Sequence, residues 1–155
     1  MSSLDGPPGM LIEGSTALGS FAIASYGGRG GATTTVEFTV TRAAGSAFAY
    51  SLIGSGTSYG TRALRLQVAP GSDQLLAAAT SGVVACGAIA PAQPIAVAVV
   101  LDTGAKKFDV LIGGASSSCS GLSASVVPPM TGFSMMDASN AGYGGRVEFS
   151  DLAMY

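Results

Sequence analysis

Four segments of the chain alternate between apolar and polar side chains. Val36, Phe38 and Val40 interleave with Glu37 and Thr39, and Leu64, Leu66 and Val68 with Arg65 and Gln67. Phe108, Val110 and Ile112 follow Lys107 and flank Asp109, and Val147 and Phe149 interleave with Arg146 and Glu148. A period of two sends successive side chains to opposite faces of a pleated strand, so each segment predicts a β-strand with one face on a core and the other in water. Less regular apolar runs predict further strands at 10–13, 20–26, 47–53, 74–79, 83–89, 122–127 and 132–136. At 75–79 a helical turn is the alternative, because Leu and Ala favour helix. The run Ile95 to Leu101 is apolar in both registers, which predicts a central strand with its second face covered. Its alanines suggest close approach by another layer or subunit.

Gly, Ser or Pro interrupt these runs about every 8–12 residues, the spacing of a β-sandwich. The 23 glycines are dispersed along the chain, which suits turns and bulges rather than one linker. Asp102-Thr103-Gly104-Ala105 separates two strong strands and predicts a hairpin turn. Gly27-Gly28-Arg29-Gly30-Gly31 reads as a flexible turn or extended arm; no Gly-Lys-Ser/Thr follows it, so it is not a phosphate loop. No long stretch has helical periodicity. The expected architecture is all-β: a two-sheet antiparallel jelly-roll sandwich in one domain over 20–155, after an N-terminal arm over 1–19 with room for a first strand.

Composition changes this picture mainly in what it says of partners. Hydrophobic residues make up 48 % of the chain and charged residues 10 %, against about 25 % charged in an average soluble domain. Such a composition excludes disorder. A surface so poor in charge suggests a homo-oligomer or a larger assembly; a monomer coated with Ser, Thr and Gly is the alternative. The seven Lys/Arg and nine Asp/Glu are scattered, and nothing forms the basic patch a nucleic-acid backbone requires. No apolar run approaches the ~18 residues of a membrane span. Met1 to Pro8 has neither a basic nor an apolar secretion-signal region, which leads to the expectation of cytosolic synthesis, unless a signal was removed.

The chain has no His and no Trp. Triads built on imidazole are therefore excluded, as are imidazole metal sites. Paired carboxylates are the remaining route to glycoside chemistry, and they must face one substrate about 5 Å apart. Glu148 and Asp151 are three positions apart, which sends them to opposite faces of a regular strand unless a bulge realigns them. The expectation is accordingly no catalytic residue, no metal, no cofactor and no enzyme. The loop Asp137 to Tyr143 reads first as an Asx-type turn. As a sugar contact, Tyr143 would stack on a ring while Asp137 and Asn140 bond hydroxyls, with Tyr59 as a second loop aromatic. Cys86 and Cys119 are the only cysteines, and a disulfide and two buried thiols are both open. A disulfide would mean life outside the reducing cytosol.

The second half has a recognisable order. An apolar strand 95–101 ends in Asp102-Thr103-Gly104; Phe108-Asp109-Val110-Leu111-Ile112-Gly113-Gly114 follows; the chain closes on Gly145-Arg146-Val147-Glu148-Phe149-Ser150-Asp151-Leu152-Ala153-Met154-Tyr155. This order resembles the concanavalin A-like superfamily, in particular laminin G-like (LamG) jelly rolls, over roughly residues 20–155. The family often carries Trp-His where this chain has Gln93-Pro94-Ile95, so the resemblance implies the fold more than any ligand chemistry.

Low charge, a Met start without a signal and no catalytic constellation lead to a first functional expectation. It is a structural protein of an assembly, a phage or viral virion surface or capsid decoration protein assembled in the host cytoplasm. Its partners would be itself and other capsid or tail proteins. The alternative is a carbohydrate-binding, lectin-like module of a secreted or surface protein, with glycans as partners. A small hydrolase or lyase acting through Glu148 and Asp151 ranks third.

Overall fold

Two antiparallel sheets face each other, and the alternating segments supply the layer between them. The computed structural model describes residues 10–13, 21–29, 32–53, 62–125, 130–137 and 146–154, with side chains described for 32–48, 63–125 and 146–154. The first sheet contains β1 (Met10–Glu13), β3 (Thr33–Arg42), β8 (Ile95–Asp102), β9 (Lys107–Ile112), β10 (Ala115–Ser116), β11 (Leu122–Ser123) and β13 (Arg146–Met154). Its order is β1-β13-β3-β8-β9-β10, with β11 also on β9. The second contains β2 (Phe21–Arg29), β4 (Phe48–Ile53), β5 (Arg62–Val68), β6 (Gln74–Ala79), β7 (Gly82–Ala88) and β12 (Met130–Asp137), in the order β2-β12-β4-β5-β6-β7.

The inward positions are those the period of two selects. Val36, Phe38 and Val40 of β3, Leu64, Leu66 and Val68 of β5, Phe108 and Val110 of β9, and Val147 and Phe149 of β13 are all buried. The Phe149 ring meets Phe38 edge-on at 5.9 Å between centroids and Phe48 at 5.8 Å. Phe48 comes from the second sheet, so the three rings join the two layers, an arrangement worth more than its buried area alone.

Residues 74–79 form strand β6, as expected, and not the alternative helical turn, because pairing with both β5 and β7 overrides helix propensity. Other expectations are corrected. The glycine-rich run is not wholly a turn: β2 continues to Arg29, which pairs with Met130, and Gly30 and Gly31 lie outside the described residues. Strand β8 is central, as expected, between β3 and β9, but among the described residues no other layer covers its second face. Val97, Val99 and Leu101 are buried, whereas Ala96 is exposed and Ala98 and Val100 are half-buried. The hairpin turn forms where expected, with Asp102 paired to Lys107 and the Ala105 N–H donating to Asp102 Oδ1 at 2.7 Å. Of the arm, 10–13 forms β1 against β13, and the remainder lies outside the described residues.

Arg42 closes one end of the sandwich. It continues the inward register of Val36, Phe38 and Val40, so its side chain enters the core and is 1 % exposed. Its Nε and Nη2 donate to the Ile89 carbonyl at 3.1 and 2.6 Å, its Nη1 donates to the Ser46 carbonyl at 3.2 Å, and Nη2 also pairs with Asp73. A buried guanidinium is tolerable only when its donors are matched in this way.

Cys86 and Cys119 are joined by a disulfide. The pairing of β7 with β6 shifts at this point: Leu76 faces Ala85 and Leu75 faces Gly87, so Cys86 is the extra residue of a bulge. A bulge re-aims a side chain out of the regular ladder, and here it turns Cys86 towards the 117–121 segment beside β9.

Candidate functional site

The outer face of the second sheet combines polar groups with an apolar strip. The inward set Leu64, Leu66 and Val68 leaves Arg65 and Gln67 of β5 facing out, both half-buried. Register places Arg65 beside Ala78 and Ala78 beside Val83, and in the next row Gln67 beside Leu76 and Leu76 beside Ala85. Val83 is 61 % exposed, an unusual position for a large aliphatic side chain. Next to this strip, Arg65, Ala78, Ala79, Thr80 and Ser125 line an open depression of about 390 Å³. Ser125 and Thr80 are brought there by backbone bonds: Ser125 N–H donates to the Ala63 carbonyl at 3.2 Å and Thr80 N–H to the Ser123 carbonyl at 3.1 Å. Guanidinium, amide and hydroxyl groups beside flat aliphatic surface can meet the hydroxyls and the apolar face of a sugar ring together.

The outer face of the first sheet has a different chemistry. Glu37, Thr39, Ala96, Ala98, Leu111, Gly114 and Asp151 line a depression of about 370 Å³. Its floor is low because Ala96 and Ala98 are small, and its walls carry two carboxylates. Asp151 reaches this face through a bulge in β13, where pairing with β3 shifts between Ser150 and Ala153 and Asp151 takes φ +52°. The bulge thus does realign Asp151, but towards Glu37; Glu148 lines another depression with Thr41, Arg42, Ala43, Ala92 and Arg146.

A third carboxylate is anchored rather than presented. Asp109 Oδ1 accepts from Ser120 Oγ at 2.7 Å and from the Gly121 N–H at 2.6 Å. These two bonds, the Ser120 one foremost, hold its pKa below the ordinary aspartate value.

Of the residues singled out for sugar contact, Tyr59, Asn140 and Tyr143 lie outside the described residues, and Asp137 is described in its backbone alone. Asp137 pairs with Phe48 at one end of β4, while Ile53 and Arg62, which flank the segment containing Tyr59, lie at the other end of that strand pair. Arg65 and Gln67 were visible in the sequence as the polar half of an alternating strand, but alternation alone does not distinguish a binding face from a solvated one. Among the described residues no group of three or more Cys, Asp or Glu could hold a metal ion. No helix is long and apolar enough to cross a membrane among the described residues.

No protein-family model matches the chain, and no curated protein matches it. Solved structures do resemble it. A sialidase matches with a TM-score of 0.78 at 9 % identity, over 95 % of this chain and 15 % of that one. The Trypanosoma rangeli sialidase matches with a TM-score of 0.60 at 15 % identity, over 79 % of this chain and 20 % of that one. A tetrameric galectin from the ball sponge Cinachyrella sp. matches with a TM-score of 0.61 at 14 % identity, over 88 % of this chain and all of that one. The fold is a concanavalin A-like jelly roll.

These likenesses correct the expectation that the chain is no enzyme. The same fold occurs within sialidases, and this chain spans only 15 % and 20 % of the two sialidase chains. The absence of His, on which that expectation leaned, does not separate the chain from them in fold. The virion expectation gains no support from these likenesses.

Proposed function

We propose that the chain is a carbohydrate-binding, lectin-like module whose ligand lies on the outer face of the second sheet. The observation that carries this reading is the row structure of that face. Arg65 and Gln67 stand beside Leu76, Ala78, Val83 and Ala85 in register, so hydrogen-bonding groups and an aliphatic strip run in parallel across three strands. Sugar hydroxyls both donate and accept, which suits amide and hydroxyl groups better than the carboxylates of the first sheet, which only accept. The likeness to a galectin in fold supports the same reading. A secreted or surface location agrees with the Cys86–Cys119 bond, since disulfides persist in oxidising compartments.

The test is a glycan array probed with the wild-type chain and with Arg65→Ala, Gln67→Ala and Glu37→Ala. Binding to a defined glycan set, lost in the first two variants and kept in the third, is the expected result. Binding lost in Glu37→Ala and kept in the other two would move the site to the first sheet. No binding to any glycan by a folded wild-type chain would sink the proposal.

A further inference from the structure

Charge is divided unevenly between the two sheets. Among the described strands, those of the first sheet hold six carboxylates and three cations. Those of the second hold three arginines, Arg29, Arg62 and Arg65, and one carboxylate, Asp137. The chain as a whole has a net charge of −2, so an attraction for anions has to be local to the second sheet.

Register sorts the charges within that sheet as well. Ile53 pairs with Arg62 on one side and Gly132 on the other, and Met130 pairs with Arg29. Both arginines therefore lie at the end of the sheet where β4 finishes and β12 begins. Asp137 pairs with Phe48 at the opposite end, about 20 Å away along β12. The depression beside Arg65 belongs to the arginine end, since Ala63, the residue after Arg62, lines it together with the exposed Thr80 and Ser125. Arg65 is the single charged residue among its described lining residues. The depression on the first sheet is walled instead by Glu37 and Asp151.

These placements select among sugars. A guanidinium is all donor and has no acceptor. A hydroxyl offers it a neutral oxygen, whereas a carboxylate or sulfate offers charged oxygens whose bonds are shorter and roughly twice as strong. We propose that the ligand of the second sheet is an anionic glycan, one that bears carboxylate or sulfate groups. Arg65 bonds the anionic oxygens, Thr80 and Ser125 meet neighbouring hydroxyls, and Arg62 and Arg29 add positive potential at that end. This inference rests on the glycan reading above and names the class of sugar.

A glycan array with neutral, carboxylate-bearing and sulfate-bearing panels, probed at low and at high sodium chloride, tests it. The expected result is binding confined to the anionic panels and weakened on the order of tenfold by high salt. The panel that responds separates carboxylate from sulfate. Arg65→Gln should lose about tenfold or more in affinity for the best anionic glycan, and Arg65→Lys should keep part of it. Arg62→Gln should cost about two- to threefold, and Glu37→Gln nothing. Thermal unfolding reports whether each variant is folded; if Arg65→Gln is not, the Arg62→Gln loss and the salt dependence decide. Equal binding to the neutral panel overturns the inference and leaves the glycan reading standing. Binding indifferent to salt and to the arginine variants does the same. Silence of the folded wild-type chain on all three panels overturns both.

Discussion

Arg42 and Asp73, 31 residues apart, form an ion pair in which the arginine side chain is 0 % exposed and the aspartate 58 %. The asymmetry predicts unequal costs. Arg42→Ala leaves the Ile89 and Ser46 carbonyls without their buried donor and opens a cavity, at about 3 kcal/mol or more. Asp73→Ala leaves the guanidinium still bonded to those carbonyls and reachable by water at Asp73, at about 1 kcal/mol. Urea unfolding midpoints of the two variants check the order; equal midpoints would contradict it.

The Arg42 position also shows how much of the fold was legible. Inward register at Val36, Phe38 and Val40 predicts an inward residue 42, yet a charged residue there reads as the end of the strand. What makes it tolerable is that Asp73 and Ile89, from two loops distant in sequence, join the nearby Ser46 around it, a gathering that no local pattern contains. The strands themselves were legible because a period of two is a local signal. Cover on the second face of β8 was not: apolarity in both registers predicts burial, but Ala96 and Ala98 are small enough to face water at little cost. The outer face of the second sheet was legible as polar positions on β5, and not as a site, because the strip beside it depends on the register with β6 and β7.

Phe149 is the ring shared by the two sheets. Phe149→Ala should cost about 3–5 kcal/mol, since both Phe38 and Phe48 lose their edge-on partner and the cavity lies between layers. Phe149→Leu should cost markedly less. Thermal unfolding of both variants reads the difference.

Asp109 gives the stability a pH signature. Its pKa is lowered in the folded chain, so its contribution is fully present above the unfolded aspartate value of about 3.9 and is lost as pH falls through the lower folded value. Asp109→Asn should therefore destabilise the chain at pH 7, by about 1 kcal/mol for a half-buried anchor. The gap to wild type should close as pH falls below the ordinary aspartate range. Denaturation midpoints between pH 7 and pH 2 test this; a gap that widens in acid would contradict it.

Gly87 lies where β7 approaches β9. A Cβ built on it would sit 3.1 Å from Ile112 Cδ1, at a backbone φ of +157°. Gly87→Ala should cost about 1–3 kcal/mol through overpacking. Adding Ile112→Val, which removes the crowding methyl, should recover part of that loss. A double-mutant cycle measures the coupling, and strict additivity would show that the contact is not the cause.

The place of β13 between β1 and β3 has a kinetic consequence. Strand β3 spans 33–42 and its partner β13 spans 146–154, so the centre of the first sheet joins segments about a hundred residues apart in sequence. During synthesis β3 has β8 on one side and an open edge on the other until residues 146–154 emerge. Long-range pairing of this kind is slow to form, and the waiting edge is exposed to misassociation. Emergence of β13, rather than collapse of the early strands, is then the step at which this sandwich commits to its fold.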